Sequence, residues 1–89
     1  MIQIKHQALT IVNEGGKIDI FGTSIGATWL AFEVGIENVR SFLDEDRSRV
    51  GSMYHGRIVQ EPTSELVRKA FFPIDQGTKS EILSRVLNN

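Results

Sequence analysis

Apolar positions along this chain change period several times, and each change marks an element. In residues 2–14, IQIKHQALTIVNE, the apolar Ile4, Ala8, Ile11 and Val12 fall at helical spacing. Gly15-Gly16 supplies a stop, so a lead-in helix is expected within residues 1–16. The β-branched run Thr10-Ile11-Val12 keeps a short strand as the alternative. Lys17–Phe21 reads as a strand, with Ile18, Ile20 and Phe21 apolar. Asp19 interrupts it, which a strand buried on both faces tolerates poorly, so a solvated or capped position is expected there. Residues 22–27, GTSIGA, form a turn, and 25–34, IGATWLAFEV, a strongly apolar helix stopped by Gly35. Trp29 and Phe32 of that helix are assigned to the core. Val39–Leu43 is the second strand, ended by Asp44-Glu45-Asp46.

The second half is more broken. Residues 44–56 read as a polar loop with two glycines, and Arg57-Ile58-Val59 as a small edge strand. Pro62, Thr63 and Ser64 mark a helix start. Ala70–Ile74 is expected to be the third main strand, with Pro73 at its end or on an unpaired side. Phe71 and Phe72 then face opposite sides of the sheet. Thr78 is the expected cap of a final helix, with Glu81 as its capping-box partner. Ile82, Leu83, Val86 and Leu87 form that helix's buried face, and Asn88-Asn89 fray. Asp75 is a capping or loop acid near the end of the third strand.

Strands alternating with helices predict an α/β fold: a small three-layer Rossmann-like half domain with flanking helices. Its parallel sheet has about three strands in the order 2-1-3. The 89 residues accommodate one such half, a single domain over 1–89 with its βαβ core over 17–89. A domain this small is expected to use a partner surface, either a flanking catalytic domain or a second copy.

Charge removes some classes of partner. Ten basic and 11 acidic residues leave a net charge of −1, without the basic surface that a nucleic-acid backbone requires. Cysteine is absent, which excludes disulfides, thiolate metal sites and a Cys nucleophile, and suits a reducing compartment. No apolar run is long enough to span a membrane, and the N-terminus lacks a signal-peptide layout. A cytoplasmic setting is therefore expected.

Two features can carry ligand chemistry. In the turn, Gly22 takes the first glycine position of a dinucleotide-binding loop, Ser24 replaces the second, and Ala27 occupies the third. Thr23, Ser24 and Gly26 complete a candidate phosphate site at the helix N-terminus, where free amides attract anions. The alternative is a tight turn with no ligand. Asp44 stands 22 residues after Gly22, where an acid bonds ribose hydroxyls in dinucleotide sites. The alternative is a solvated acidic loop helped by Arg47 and Arg49. Arg47, Arg49, His55 and Arg57 are either a second phosphate or sugar site or ordinary loop charges. No nucleophile–base pair, metal-ligand spacing or catalytic residue is visible, so the domain alone is not expected to be an enzyme.

The run IFGTSIGATWLAFEVG followed by VRSFLDEDRSRVGSMYHGRIVQEP resembles a Rossmann-like accessory module. It is similar to the domain that follows the catalytic domain in sugar C-methyltransferase-like proteins, which are S-adenosylmethionine-dependent. It is also similar to the nucleotide-sugar-binding N-terminal domain of sugar O- or N-acyltransferases. Gly22 and Gly26 carry the likeness, with Phe42, Asp44 and Asp46, Arg49-Val50-Gly51, His55 to Val59, and Pro62. It extends over about residues 17–87. The resemblance implies a Rossmann-like fold and a link to nucleotide-sugar chemistry, and it carries over no catalytic residue. Ser24 departs from the more glycine-rich turn of the acyltransferase modules. The function expected is a non-catalytic nucleotide or nucleotide-sugar binding accessory domain of a methyltransferase-type enzyme. The alternatives are a docking or dimerisation module with no small-molecule ligand, and a redox-sensing dinucleotide binder, which Ser24 disfavours.

Overall fold

A computed structural model describes residues 2–88 of the chain; Met1, in the expected lead-in segment, and Asn89 lie outside them. The elements are α1 (Ile2–Asn13), β1 (Ile18–Phe21), α2 (Ile25–Val34), a 3-10 turn (Ile36–Asn38), β2 (Val39–Leu43), β3 (Met53–Tyr54), β4 (Arg57–Gln60), α3 (Ser64–Lys69) and α4 (Gln76–Leu87). The lead-in segment is helical, and Gly15 stops it at a φ of 89°. Helix α2 and strand β2 occupy the residues that the apolar pattern assigns them.

The molecule is an α/β fold around a four-stranded mixed sheet in the order β1-β2-β4-β3. β1, β2 and β4 are parallel, and β3 is antiparallel to β4. The expected three-strand parallel order is thus not matched exactly. Residues 70–74 supply only an isolated parallel bridge, Phe71 to Ile20, where the third main strand was expected. The Phe71 amide donates to the Asp19 carbonyl and its carbonyl accepts from the Phe21 amide. Pro73 has no N–H to extend this pairing.

The loop expected over 44–56 contains β3, and the piece expected at an edge, β4, lies inside the sheet. The cause is the two-residue turn His55-Gly56 between the paired residues Tyr54 and Arg57. Both turn residues have positive φ, 50° and 78°, as a type I′ hairpin requires, so β3 folds back over the outer edge of β4.

Two apolar clusters pack the sheet faces. On one face, α1 and α2 bury Ala8, Ala27, Leu30, Ala31 and Val34 against Ile18, Ile20, Val39, Phe42 and Val59. On the other, Val67 of α3 and Ile82 of α4 meet Phe21, Leu43 and Phe72. Phe72 stacks on Phe21 with ring centroids 4.7 Å apart, while Phe71 packs against the first cluster, so the pair serves opposite faces as its alternation predicts. Ala27, Leu30, Ala31 and Val34 form the inward stripe of α2. Trp29 packs partly buried beside that core, but Phe32 lies off the stripe and is 57% exposed, contrary to its core assignment. On α4 Ile82 is buried, Leu83 and Val86 are partly buried, and Leu87 is exposed.

Asp19 also corrects the sequence expectation. Its side chain is buried, not solvated. Arg40 binds it through both Nε and Nη2, and the Ser41 hydroxyl donates to Oδ1 at 2.6 Å. A register irregularity between Ile18 and Asp19 leaves Arg40 as an extra residue on β2, since Ile18 pairs with Val39 and Asp19 with Ser41. Adjacent side chains of β2 thereby reach the same carboxylate, where a regular strand would send them to opposite faces. Among the described residues, no buried side-chain polar atom lacks a partner.

Capping of the last helix starts earlier than expected. Asp75 is the N-cap: Oδ1 accepts from the Thr78 amide at 2.9 Å and Oδ2 from the Thr78 hydroxyl at 2.8 Å. Thr78 therefore lies inside the helix, where its own amide is the third-position donor that Asp75 caps. Thr63 caps α3 by accepting from the Leu66 amide.

Three outcomes are expected. Asp19→Ala removes three hydrogen bonds to a charged group and leaves Ser41 buried without its acceptor, costing about 2 kcal/mol in urea unfolding. That figure allows for Arg40, whose side chain is 57% exposed and stays hydrated. Gly26→Ala places a methyl 2.6 Å from the Pro73 carbonyl oxygen, and the same assay should show a loss of about 1–3 kcal/mol. The third concerns pH. The Thr78 amide, then its hydroxyl, hold the Asp75 carboxyl below the ordinary carboxylate range. Its stabilisation is complete above the unfolded-state value and is lost as pH falls through the lowered folded value. Urea midpoints measured against pH should therefore decline on acidification, and Asp75→Ala should flatten part of that decline.

Candidate functional site

Because β1, β2 and β4 are parallel, the residues after their carboxyl ends, Gly22, Asp44 and Glu61, emerge along one side of the sheet. Ligands of open α/β sheets bind along this side. Gly22 has a φ of 100°, a conformation that favours glycine, and its amide donates to the Leu43 carbonyl at 2.6 Å. The chain turning away from β1 is thus tied to the end of β2, which brings two candidate residues together. The Thr23 hydroxyl donates to Asp44 Oδ2 at 2.7 Å. Arg49 donates to the same Thr23 oxygen and lies 3.6 Å from both the Asp44 and the Asp46 carboxylates.

The acidic loop is organised by its own side chains. Asp44 Oδ1 accepts from the Asp46 amide, and Asp46 Oδ1 accepts from the Ser48 amide and hydroxyl. The Ser48 hydroxyl, then its amide, hold the Asp46 carboxyl below its ordinary range. These short-range bonds curl residues 44–49 so that Arg49 returns to Asp44. Glu45 points the other way and forms a two-pronged pair with Arg85 of α4, at 2.7 and 3.1 Å. That contact raises the Arg85 pKa.

Ser24 is the N-cap of α2 and makes no side-chain cap bond, so its exposed hydroxyl stands beside the free first-turn amides. Gly26 has a packing role of its own: the approach of the Pro73 carbonyl leaves no room for a β-carbon there. The structure thus brings Thr23 and Asp44 into contact, sets Ser24 at the helix end, and packs Gly26 against residues 70–74.

Of the four basic residues considered, Arg49 alone joins this network. Arg47 is 3.7 Å from Glu61, and Arg57 Nε donates to the Ile36 carbonyl. His55 Nε2 lies 3.0 Å from the Thr28 hydroxyl, which also bonds the Tyr54 hydroxyl at 2.7 Å. Tyr54 and His55 pack edge to face, and Tyr54 meets Phe42 in the same way at 4.9 Å. Thr28, Ser52, Met53 and Tyr54 escaped the sequence reading. Their signal was the His55-Gly56 turn, which folds β3 over the sheet.

A cleft of about 330 Å³ opens between these groups, lined by Thr23, Arg49, Ser52, Met53, Tyr54 and Val59. That volume is at the small end for ligand pockets. One wall offers hydroxyls and a guanidinium, the other apolar and aromatic surface. Among the described residues, no three His, Asp or Glu side chains gather in a metal-binding arrangement, and Ser24 makes no hydrogen bond to His55. No helix among the described residues is long and apolar enough to cross a membrane. Comparison with protein-family models, with curated proteins and with solved structures finds no match to this chain.

Proposed function

We propose that the cleft at the carboxyl ends of the parallel strands binds a nucleotide or nucleotide sugar. In this reading the chain is a non-catalytic, cytoplasmic accessory domain of a methyltransferase-type enzyme, acting beside a flanking catalytic domain or as a homodimer. The observation that carries the proposal is the meeting of Thr23, Asp44 and Arg49, which joins the turn after β1 to the acid after β2. Phosphate oxygens would lie near Gly22, Thr23, Ser24 and Gly26, facing the first amides of α2. A ribose diol would take the place of the Thr23 hydroxyl on Asp44, with Arg49 released toward phosphate. The resemblance of residues 17–87 to modules of sugar-modifying enzymes supports the same ligand class.

A second reading, a docking module without a small-molecule ligand, draws on exposed apolar side chains. Ile25 is 89% exposed, Met53 64% and Phe32 57%. Side chains of this kind line interaction surfaces when they lie together.

An NMR titration with UDP- and dTDP-sugars, NAD(H) and S-adenosylmethionine separates the two. The nucleotide reading expects shifts grouped at residues 22–27 and 44–49 with the sugar nucleotides. Asp44→Ala should weaken that binding about tenfold or more, through loss of charge-assisted bonds, while the amide spectrum stays dispersed. A flat response to all four ligand types refutes the nucleotide reading and leaves the docking module.

A further inference from the structure

The sheet is unfinished beside β1. Residues 70–74 floor a groove of about 380 Å³, walled by Gln3 and Gln7 of α1 on one side and by Gln76 and Lys79 of α4 on the other. Phe71 directs its amide and carbonyl to β1. In extended backbone the neighbouring groups point the opposite way, so the Ala70 carbonyl and the Phe72 amide face the groove. Neither makes a backbone hydrogen bond within the described residues, while the Ala70 amide belongs to the last turn of α3. Ala70 has extended angles, φ −76° and ψ 156°, suited to strand pairing. Helices on both faces of the sheet therefore flank its last backbone segment and leave a slot between them.

We propose that this groove takes an extended segment of another polypeptide, which adds a strand beside Ala70 and Phe72 and places an acidic residue against Lys79. Two observations select this occupant. The unpaired Ala70 carbonyl and Phe72 amide match a peptide backbone, the chemistry of strand addition to a sheet edge. Among the described residues Lys79 is the one charged side chain lining the groove, 5.3 Å from the centre of the Phe72 ring, so the complementary charge is negative. The amide side chains of Gln3, Gln7 and Gln76 can bond the peptide's remaining backbone groups without adding charge. Pro73 limits the added strand to a short one. A second copy pairing through the same residues fits poorly, because its Ala70–Phe72 edge is recessed between its own α1 and α4.

Selection of a random peptide library displayed on phage against the full chain tests this, followed by NMR amide exchange and anisotropy titration of the enriched peptides. Enriched sequences should contain Asp or Glu and slow exchange of the Phe72 amide. Lys79→Glu, at a half-buried position of α4, should weaken them roughly five- to tenfold, as expected for loss and reversal of a part-exposed charge pair. Gln7→Trp, which fills the groove from an exposed position, should abolish binding while leaving the spectrum folded. Failure to enrich any peptide over the Gln7→Trp chain overturns the proposal. So does protection confined to amides away from the groove, or protection of Phe72 that rises with protein concentration in the absence of peptide, the mark of a second copy.

Discussion

The buried carboxylate of Asp19 constrains this fold more than any apolar contact. A charge taken out of water demands full hydrogen bonding, and here β2 supplies it through Arg40 and Ser41. Both can reach the carboxylate because β2 carries an extra residue at that point. The irregularity fixes the register of β1 on β2, since sliding the strands would strand the charge. Register in turn pairs Phe21 with Leu43 and sets Gly22 beside Asp44. The Thr23–Asp44–Arg49 network at the end of the sheet is thus a downstream result of an ion pair near its start.

Apolar packing does a different job. Burial is non-directional and holds the layers together, with α1 and α2 on one face and α3 and α4 on the other. Phe71 and Phe72 join the halves: neighbours in sequence, they serve opposite faces while the Phe71 backbone bonds β1. Gly26 lets the start of α2 approach residues 70–74 closely. That contact holds the single bridged segment beside β1, and Pro73, without an N–H, ends the pairing there.

The candidate site combines local and distant contributions. The turn Gly22–Ala27 and the acidic run Asp44–Asp46 are short motifs, and their approximate partnership follows from strand-to-strand adjacency in a parallel βαβ unit. The wall opposite them does not follow from either motif. Tyr54 reaches α2 because β3 folds back across β4, so its hydroxyl meets Thr28, 26 residues away in sequence.

Much of the architecture was legible in the chain because it depends on periodicity. The helical spacing of Ile4, Ala8 and Val12, the apolar block 25–34 between two glycines, and the strand Val39–Leu43 state their own conformation. So does the opposite facing of Phe71 and Phe72. What stayed hidden depends on partners. Asp19 looks solvated until Arg40 and Ser41 are brought to it. Phe32 looks internal until the buried stripe of α2 is chosen by the sheet. Arg57-Ile58-Val59 looks like an edge until the His55-Gly56 turn lays β3 outside it. The sequence by itself determined the α/β class, most helices and two of the strands, because local propensity and apolar period act over a few residues. Tertiary structure decided strand order, the burial of Asp19 and the pairing of Thr23 with Asp44 and Arg49, because each requires groups about twenty or more residues apart to satisfy one another's charge or hydrogen bonds.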